Sequence, residues 1–303
     1  MMQEFVYEDR IMGCDLSVSL VMADARAANA LYDQMRSRAQ RYDAQFSRFK
    51  EESELSRLNR AGELAVTPEF LAVLKLGFEL YEKTERAFNP LVDISRFGYD
   101  ADIEEVQGTE RALTSNAVPY DTDFSSVSID WERRVVRLAP GQSLDVGGYL
   151  KGYVAEKLCH DARSAQGVIV NLGGDIATAG VDAEGAPFQF EVERPDGHSS
   201  IAFTYGDGSI ATSGSYRRHW TAGGTPFHHI LDASGTQNPD TEVVSATVLS
   251  ARGHDAEGYA TAAFVLGREK AAALLASRGV PYCLILKGGS IAASPDFSRR
   301  ITE

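Results

Sequence analysis

The sequence predicts an α+β fold. Three observations carry this reading: stretches that alternate polar and apolar residues, long segments with helix-start signals, and an order of the two that lacks the regular βαβ alternation of a parallel sheet. At 303 residues, 44% hydrophobic and 24% charged, the chain can bury a large core. It reads as one domain over residues 1–303, divisible at most into two subdomains.

Asp15 to Met22 (DLSVSLVM) alternates as a strand does. Asp24 can cap a helix running to about Phe46, with Ala30, Met35 and Ala39 facing inward. Thr67-Pro68-Glu69 supplies an N-cap hydroxyl, a proline at the first helical position and an acid in the first turn, for a helix ending near Thr84. Residues 93–125 are polar, irregular and acidic, and read as a surface excursion. From Val127 the pattern is mostly β. SVSID and RVVRL flank Trp131-Glu132-Arg133 as a hairpin would. A short strand at Leu144 leads into a helix from Lys151 to Arg163, and GVIVNL (167–172) is a buried strand. PFQFEVERP, SIAFTY, SIATSG and Glu242 to Ser250 are further strands. Residues 255–278 form a helix broken near Gly267, and Tyr282 to Leu286 is the last strand. No internal repeat and no low-complexity stretch is evident.

Composition excludes several classes. A net charge of −13 would repel nucleic-acid phosphates over most of the surface, so no DNA or RNA partner is expected. No apolar run nears the roughly 18 residues a membrane helix needs. Met1-Met2-Gln3-Glu4-Phe5 lacks a basic stretch followed by an apolar one, so no secretory signal is read and a cytoplasmic location is expected. Cys14, Cys159 and Cys283 have no metal-ligand spacing and read as small buried apolar residues. An anionic ligand is compatible with this charge where the site gathers its own cations.

Five clusters bear on such a site. In LDVGGYLKGY, Gly147-Gly148 let the backbone approach a ligand, and Lys151 sits in a first helical turn, where only a bound anion makes a cation favourable. A tight strand-to-helix turn is the plainer account of the glycines. Asn171-Leu172-Gly173-Gly174-Asp175 is a second glycine pair, alone merely a turn. Ala211-Thr212-Ser213-Gly214-Ser215-Tyr216-Arg217-Arg218 combines hydroxyls with guanidinium groups, as phosphate oxygens require. His228-His229 follows, and adjacent strand positions let only one histidine face a site. Last, Glu257 and Thr261 stand four apart on one helix face, a carboxylate and a hydroxyl suited to a hard cation or simply to solvent.

Together these clusters resemble the ApbE family, the FAD:protein FMN transferases. The resemblance runs from Met12-Gly13 to the helix near Gly267 and includes, in the family's order, SELSRLN, AFNP, LDVGGYLKGY, NLGGD, ATSGSYRR, HHILD and the Glu257–Thr261 helix. Each is weak alone; their conjunction in order is specific. It implies a T-fold-like α+β architecture, with mixed strands and helices around a flavin-binding cleft and Mg²⁺ bridging the FAD diphosphate. It implies metal ligation by Glu257, Thr261 and the backbone carbonyl of Leu150, and a catalytic His229. FAD contacts would come from Met12, Phe49, Gly147, Gly148, Lys151, Asp175, Thr212, Ser213, Gly214 and His229. The chain departs from the family at Glu257, Glu156 and Asn89, where Asp is usual, and at Leu150, where Ala is usual. A longer carboxylate must retract by about one methylene to keep a ~2.1 Å distance to Mg²⁺.

The resemblance thus implies transfer of FMN from FAD to a threonine hydroxyl of an acceptor protein, with release of AMP. Lys151 and the Thr212–Ser213 loop would fix phosphate oxygens, and His229 would take the hydroxyl proton or stabilise the transferring group. Water in place of the threonine would give an FAD pyrophosphatase yielding FMN and AMP. Loss of the metal chemistry, for which the Glu257 substitution is the main argument, would leave a non-catalytic FAD-binding protein.

Overall fold

The computed structural model describes residues 1–101, 103–113, 121–195, 197 and 199–302. Strands β1 (Gln3–Ile11) and β2 (Cys14–Met22) form an antiparallel hairpin. Its two-residue turn is Met12-Gly13, both at positive φ, the conformation that matches the twist of tight hairpins. Helix α1 (Ala25–Phe46) starts as expected from Asp24, whose side chain accepts the Ala27 N–H at 2.8 Å. Its inward stripe is Ala28, Met35, Ala39, Tyr42 and Phe46; Ala30, expected inward, is exposed because it lies off that helical spacing. Next come α2 (Glu54–Ala61), β3 (Glu63–Ala65) and α3 (Pro68–Lys83), the last capped by Thr67 as expected.

The segment read as a surface excursion carries α4 (Ile103–Val106) and β4 (Glu110–Arg111), and it buries Ile94, Val106 and Phe124. Asp102 and residues 114–120 of it lie outside the described residues. Strands β5 (Ser128–Asp130) and β6 (Val135–Arg137) make the expected hairpin, extended by β3. The short strand expected at Leu144 does not form. The Asn59 side-chain amide satisfies both the N–H and the C=O of Leu144, each at 2.9 Å, in place of a strand neighbour.

Helix α5 (Leu150–Asp161) precedes the hairpin β7 (Gly167–Leu172) and β8 (Asp175–Gly180). Then follow β9 (Gln189–Glu193), β10 (Ser200–Thr204), β11 (Gly208–Gly214), β12 (His219–Ala222), β13 (Thr225–His228) and β14 (Val243–Ser250). Helix α6 (Gly253–Ser277) breaks at Gly267 (φ 74°, ψ 171°), as its glycine foretold. After β15 (Tyr282–Leu286), read above as the last strand, come β16 (Ile291–Ala293) and α7 (Pro295–Ser298).

One antiparallel sheet of order β1-β2-β7-β8-β11-β14-β15-β16 organises the molecule, and the fold is α+β. Helices α1, α5 and α6 pack on one face. Phe188, Phe190, Phe203 and Phe297, from the β9–β10 region and α7, bury Val21 and Leu249 on the other. A small sheet, β13-β12-β4, is packed by the former excursion: Trp220 Nε1 donates to the Phe97 carbonyl at 2.6 Å and Tyr99 stacks on its ring.

The sheet also reveals a repeat that the sequence reading missed. β1-β2-α5-β7-β8 and β11-β14-α6-β15-β16 are the same ββαββ unit laid edge to edge through the β8–β11 pair. The matching residues are short. Lys151-Gly152-Tyr153-Val154-Ala155-Glu156 corresponds to Arg252-Gly253-His254-Asp255-Ala256-Glu257, and Gly173-Gly174-Asp175-Ile176-Ala177 to Gly288-Gly289-Ser290-Ile291-Ala292. The spacing hides them, because residues 23–149 separate β2 from α5 whereas only Ala251 and Arg252 separate β14 from α6.

Candidate functional site

The N-termini of α5 and α6, the two repeat-related helices, meet at the floor of a cleft. The Gly152 N–H donates to Glu257 Oε2 at 2.9 Å and the Gly253 N–H to Glu156 Oε2 at 2.8 Å. Each helix thereby supplies the carboxylate that satisfies the free N–H groups and positive end of the other. The approach is so close that a Cβ on Gly152 would sit 2.3 Å from the Gly253 carbonyl oxygen, and one on Gly253 would sit 1.9 Å from that of Gly152. Both positions therefore require glycine.

Lys151, one residue before this contact, places its Nζ 2.5 Å from Glu257 Oε1 and in contact with Asp175 Oδ2 at the start of β8. All three side chains are largely buried. Burial opposes the ammonium charge, but Asp175 and Glu257 outweigh it and hold the Lys151 pKa above its ordinary value. Burial, reinforced by the charge of Asp175 and opposed by Lys151, pushes Glu257 up to about 8. Lys151 is thus countered by Asp175 and bonded to Glu257, and the floor of the cleft carries no spare positive charge from it.

The walls come from both repeats. Thr212 and Ser213, successive residues of β11, bond to different neighbours: Thr212 Oγ1 to Thr247 Oγ1 of β14 (2.9 Å), Ser213 Oγ to Thr261 Oγ1 of α6 (3.0 Å). Gly147 N–H donates to Asp145 Oδ1 at 2.7 Å, fixing the loop that enters α5. His228 and His229 have different surroundings. His228 packs edge-on against Phe264 of α6, and its Nδ1 accepts the Ile230 N–H at 3.3 Å. His229 lines the cleft, with Nδ1 buried and without a hydrogen-bond partner among the described residues. Burial first, then the positive charge of Arg218, holds its pKa well below the ordinary histidine value, so the imidazole is neutral near pH 7.

At the mouth, Met12 stands at the tip of the β1–β2 turn, and Phe49 is half-exposed. The Arg48 guanidinium lies 4.7 Å from the Phe49 ring and 4.5 Å from that of Tyr99, and pairs with Asp145 at 3.3 Å. The cleft has a volume of about 1190 Å³, above the roughly 300–1,000 Å³ of a drug-sized pocket. Met12, Phe49, Gly147, Gly148, Leu150, Lys151, Asp175, Thr212, Ser213, Gly214, His229, Glu257 and Thr261 all line it. Arg48, Tyr99, Asp145 and Arg218 line it too, although they were not singled out as site residues. Asp145 and Arg218 lie inside motifs already quoted; Arg48 lies just before SELSRLN and Tyr99 in the excursion, where no pattern marked them.

The model for the ApbE family matches residues 12–284. The chain belongs to the ApbE family. Among ApbE relatives, the FAD:protein FMN transferase of Vibrio cholerae is 29% identical over 256 residues, 80% of this chain and 75% of that protein. The protein of the same name from Haemophilus influenzae is 28% identical over 280 residues, 86% and 80% of the two chains. The crystal structure of the ApbE protein from Thermotoga maritima superposes with a TM-score of 0.86 at 25% identity, over 99% of this chain and 100% of that one. The flavin transferase ApbE from Vibrio cholerae shares the fold, with a TM-score of 0.83 over 99% of this chain and all of that one, at 24% identity.

Two departures from the usual ApbE pattern have structural accounts here. Glu156 is the cap of the Gly253 N–H, and Asn89 uses its amide to hold the Thr122 carbonyl at 2.8 Å. The Glu257 carboxylate and Thr261 hydroxyl, one helical turn apart, give hard oxygen donors of the kind Mg²⁺ takes, and the buried Leu150 stands beside them at the start of α5. Among the described residues no group of three or more His, Cys, Asp or Glu could hold a metal by itself. No helix is long and apolar enough to cross a membrane, and the three cysteines are free and buried, as read from their neighbours.

Proposed function

We propose that this protein is an FAD:protein FMN transferase that uses Mg²⁺ and moves FMN from FAD to a threonine hydroxyl of an acceptor protein, releasing AMP. The observation that carries the reading is the convergence of the family-matched residues, drawn from both repeats, on one cleft. Family membership and the names of the relatives support it.

In this reading the Gly147-Gly148 loop and the Thr212–Gly214 end of β11 bind the diphosphate of FAD, and Phe49 and Met12 border the flavin at the mouth. The threonine oxygen attacks the phosphorus on the FMN side, a new P–O bond forms, and the P–O bond to AMP breaks. His229, neutral in its buried position, takes the hydroxyl proton. Mg²⁺, held by Glu257, Thr261 and the Leu150 carbonyl, would neutralise charge on the diphosphate. Lys151 and Asp175 keep Glu257 in place and tie α5 to the β7–β8 turn.

The test is to incubate the protein with FAD and Mg²⁺, with and without a candidate acceptor, and to follow AMP and flavin bound to protein. Acceptor-dependent AMP release with flavin retained on the acceptor is the expected result; AMP and free FMN at the same rate without acceptor would make the protein a hydrolase. Binding followed by flavin fluorescence should be much tighter for FAD than for riboflavin, which lacks the diphosphate. Equal affinities would remove the basis for assigning the glycine and hydroxyl clusters to phosphate.

A further inference from the structure

The positive charges that line the cleft are matched, with one exception. Arg10 pairs with Asp15 and, at 2.9 Å, with Glu104; Arg48 pairs with Asp145; Lys151 is held by Asp175 and Glu257; Arg217 pairs with Glu193. Arg218 differs. Its guanidinium lines the same cleft and has no hydrogen bond or ion pair to any described residue. It stands by the Gly173-Gly174 turn, where a Cβ built on Gly173 would lie 4.0 Å from Arg218 Nη2. Its charge reaches Lys151, Cys14 and His229. The chain carries a net charge of −13, so carboxylates to pair with this arginine are abundant.

A half-buried guanidinium set near a second cation, with no carboxylate beside it, raises the energy of the ligand-free protein. Such an arrangement is retained where an anion completes it. We infer that Arg218 is a phosphate-binding residue of this site: it supplies the uncompensated positive charge that holds the diphosphate, while the charge of Lys151 is already spent on Asp175. The planar fork of an arginine suits paired phosphate oxygens, and the neighbouring Gly173-Gly174 backbone leaves room for them. This inference rests on the reading of the cleft as an FAD site.

The experiment compares Arg218→Gln, Arg218→Lys and Arg217→Gln with the parent by flavin-fluorescence titration of FAD and riboflavin, and by thermal unfolding without ligand. Arg218→Gln should weaken FAD binding about ten-fold or more, the loss that accompanies a charged hydrogen bond, and leave riboflavin unchanged. Its unfolding temperature without ligand should equal or exceed the parent's, because a repulsion is removed; an arginine with a merely structural role would lower it. Arg218→Lys should recover part of the FAD affinity, and Arg217→Gln should change it by less than two-fold. FAD affinity within two-fold of the parent in Arg218→Gln, or equal losses for FAD and riboflavin, would overturn the assignment. A parent that does not bind FAD at all would instead refute the reading of the cleft.

Discussion

Lys151 Nζ lies 2.5 Å from Glu257 Oε1, and the other oxygen of that carboxylate accepts the N–H of Gly152, the residue after the lysine. Glu257 therefore serves the structure and, in the proposed mechanism, the metal. Replacing it by alanine should do two things. Mg²⁺-dependent AMP release should be lost, and the protein should be destabilised by about 3–5 kcal/mol, the usual cost of breaking a buried ion pair. Glu257→Asp should keep Mg²⁺-dependent turnover. Titrating Mg²⁺ into both variants and measuring denaturant midpoints checks this; full Mg²⁺-dependent activity in Glu257→Ala would move the ligand role elsewhere. Asp255 would then be tested, although its carboxylate pairs with Lys83 at 3.0 Å.

The two adjacent histidines should separate cleanly. His229→Ala is expected to lower turnover by about 10²–10⁴-fold, the contribution of a positioned general base, with little change in FAD affinity. His228→Ala should act mainly on stability, because its ring packs on Phe264 away from the cleft lining. A larger turnover loss in His228→Ala would reverse the roles.

Burial pulls His228 down to about 4, against an ordinary value of 6.5. The sign follows from linkage. With the folded pKa depressed, the unfolded chain binds the proton first as pH falls, so the stability present above about 6.5 is lost between there and about 4 and levels off below. The loss from this residue is about 3 kcal/mol. His229, also depressed, adds in the same direction. Unfolding free energies from pH 7.5 to 4 for the parent and for His228→Gln should differ in slope across that window. Identical slopes would show that His228 is not held neutral.

The contact of α5 with α6 can be tested at its glycines. Gly152→Ala and Gly253→Ala each set a methyl against backbone, which cannot rotate away, and should cost at least the 1–3 kcal/mol typical of overpacking. Gly206, which has open space at its Cβ position and no positive φ, is the control. Gly206→Ala should be neutral or slightly stabilising. Similar unfolding midpoints for all three variants would contradict the close helix approach.

Much of this is legible in the amino-acid sequence. Asp24, Thr67-Pro68 and Gly267 announced their helix boundaries because capping and helix breaking are local chemistry. The cleft residues were legible as short motifs in order, although nothing local said that Met12 and Thr261 would share a wall. Leu144 was misread because Leu144-Asp145-Val146 alternates as a strand does, whereas Asn59, far away in the chain, satisfies its backbone. Tyr99 escaped for a similar reason, since it gains its meaning from Trp220; Arg218 was legible only as one of two phosphate-type guanidinium groups, and what separates it from Arg217 is the Glu193 carboxylate that its neighbour has already taken.

The exchange of glutamates between α5 and α6 also bears on how the chain can come apart. Each repeat holds the group that completes its sibling: without α6, Gly152 has no acceptor for its N–H, and without α5, neither does Gly253. A fragment carrying one ββαββ unit would expose the Gly face made for its twin and leave a carboxylate with nothing to cap. Separated halves should therefore be poor folders alone and good partners when mixed, with flavin fluorescence reporting the moment of reunion.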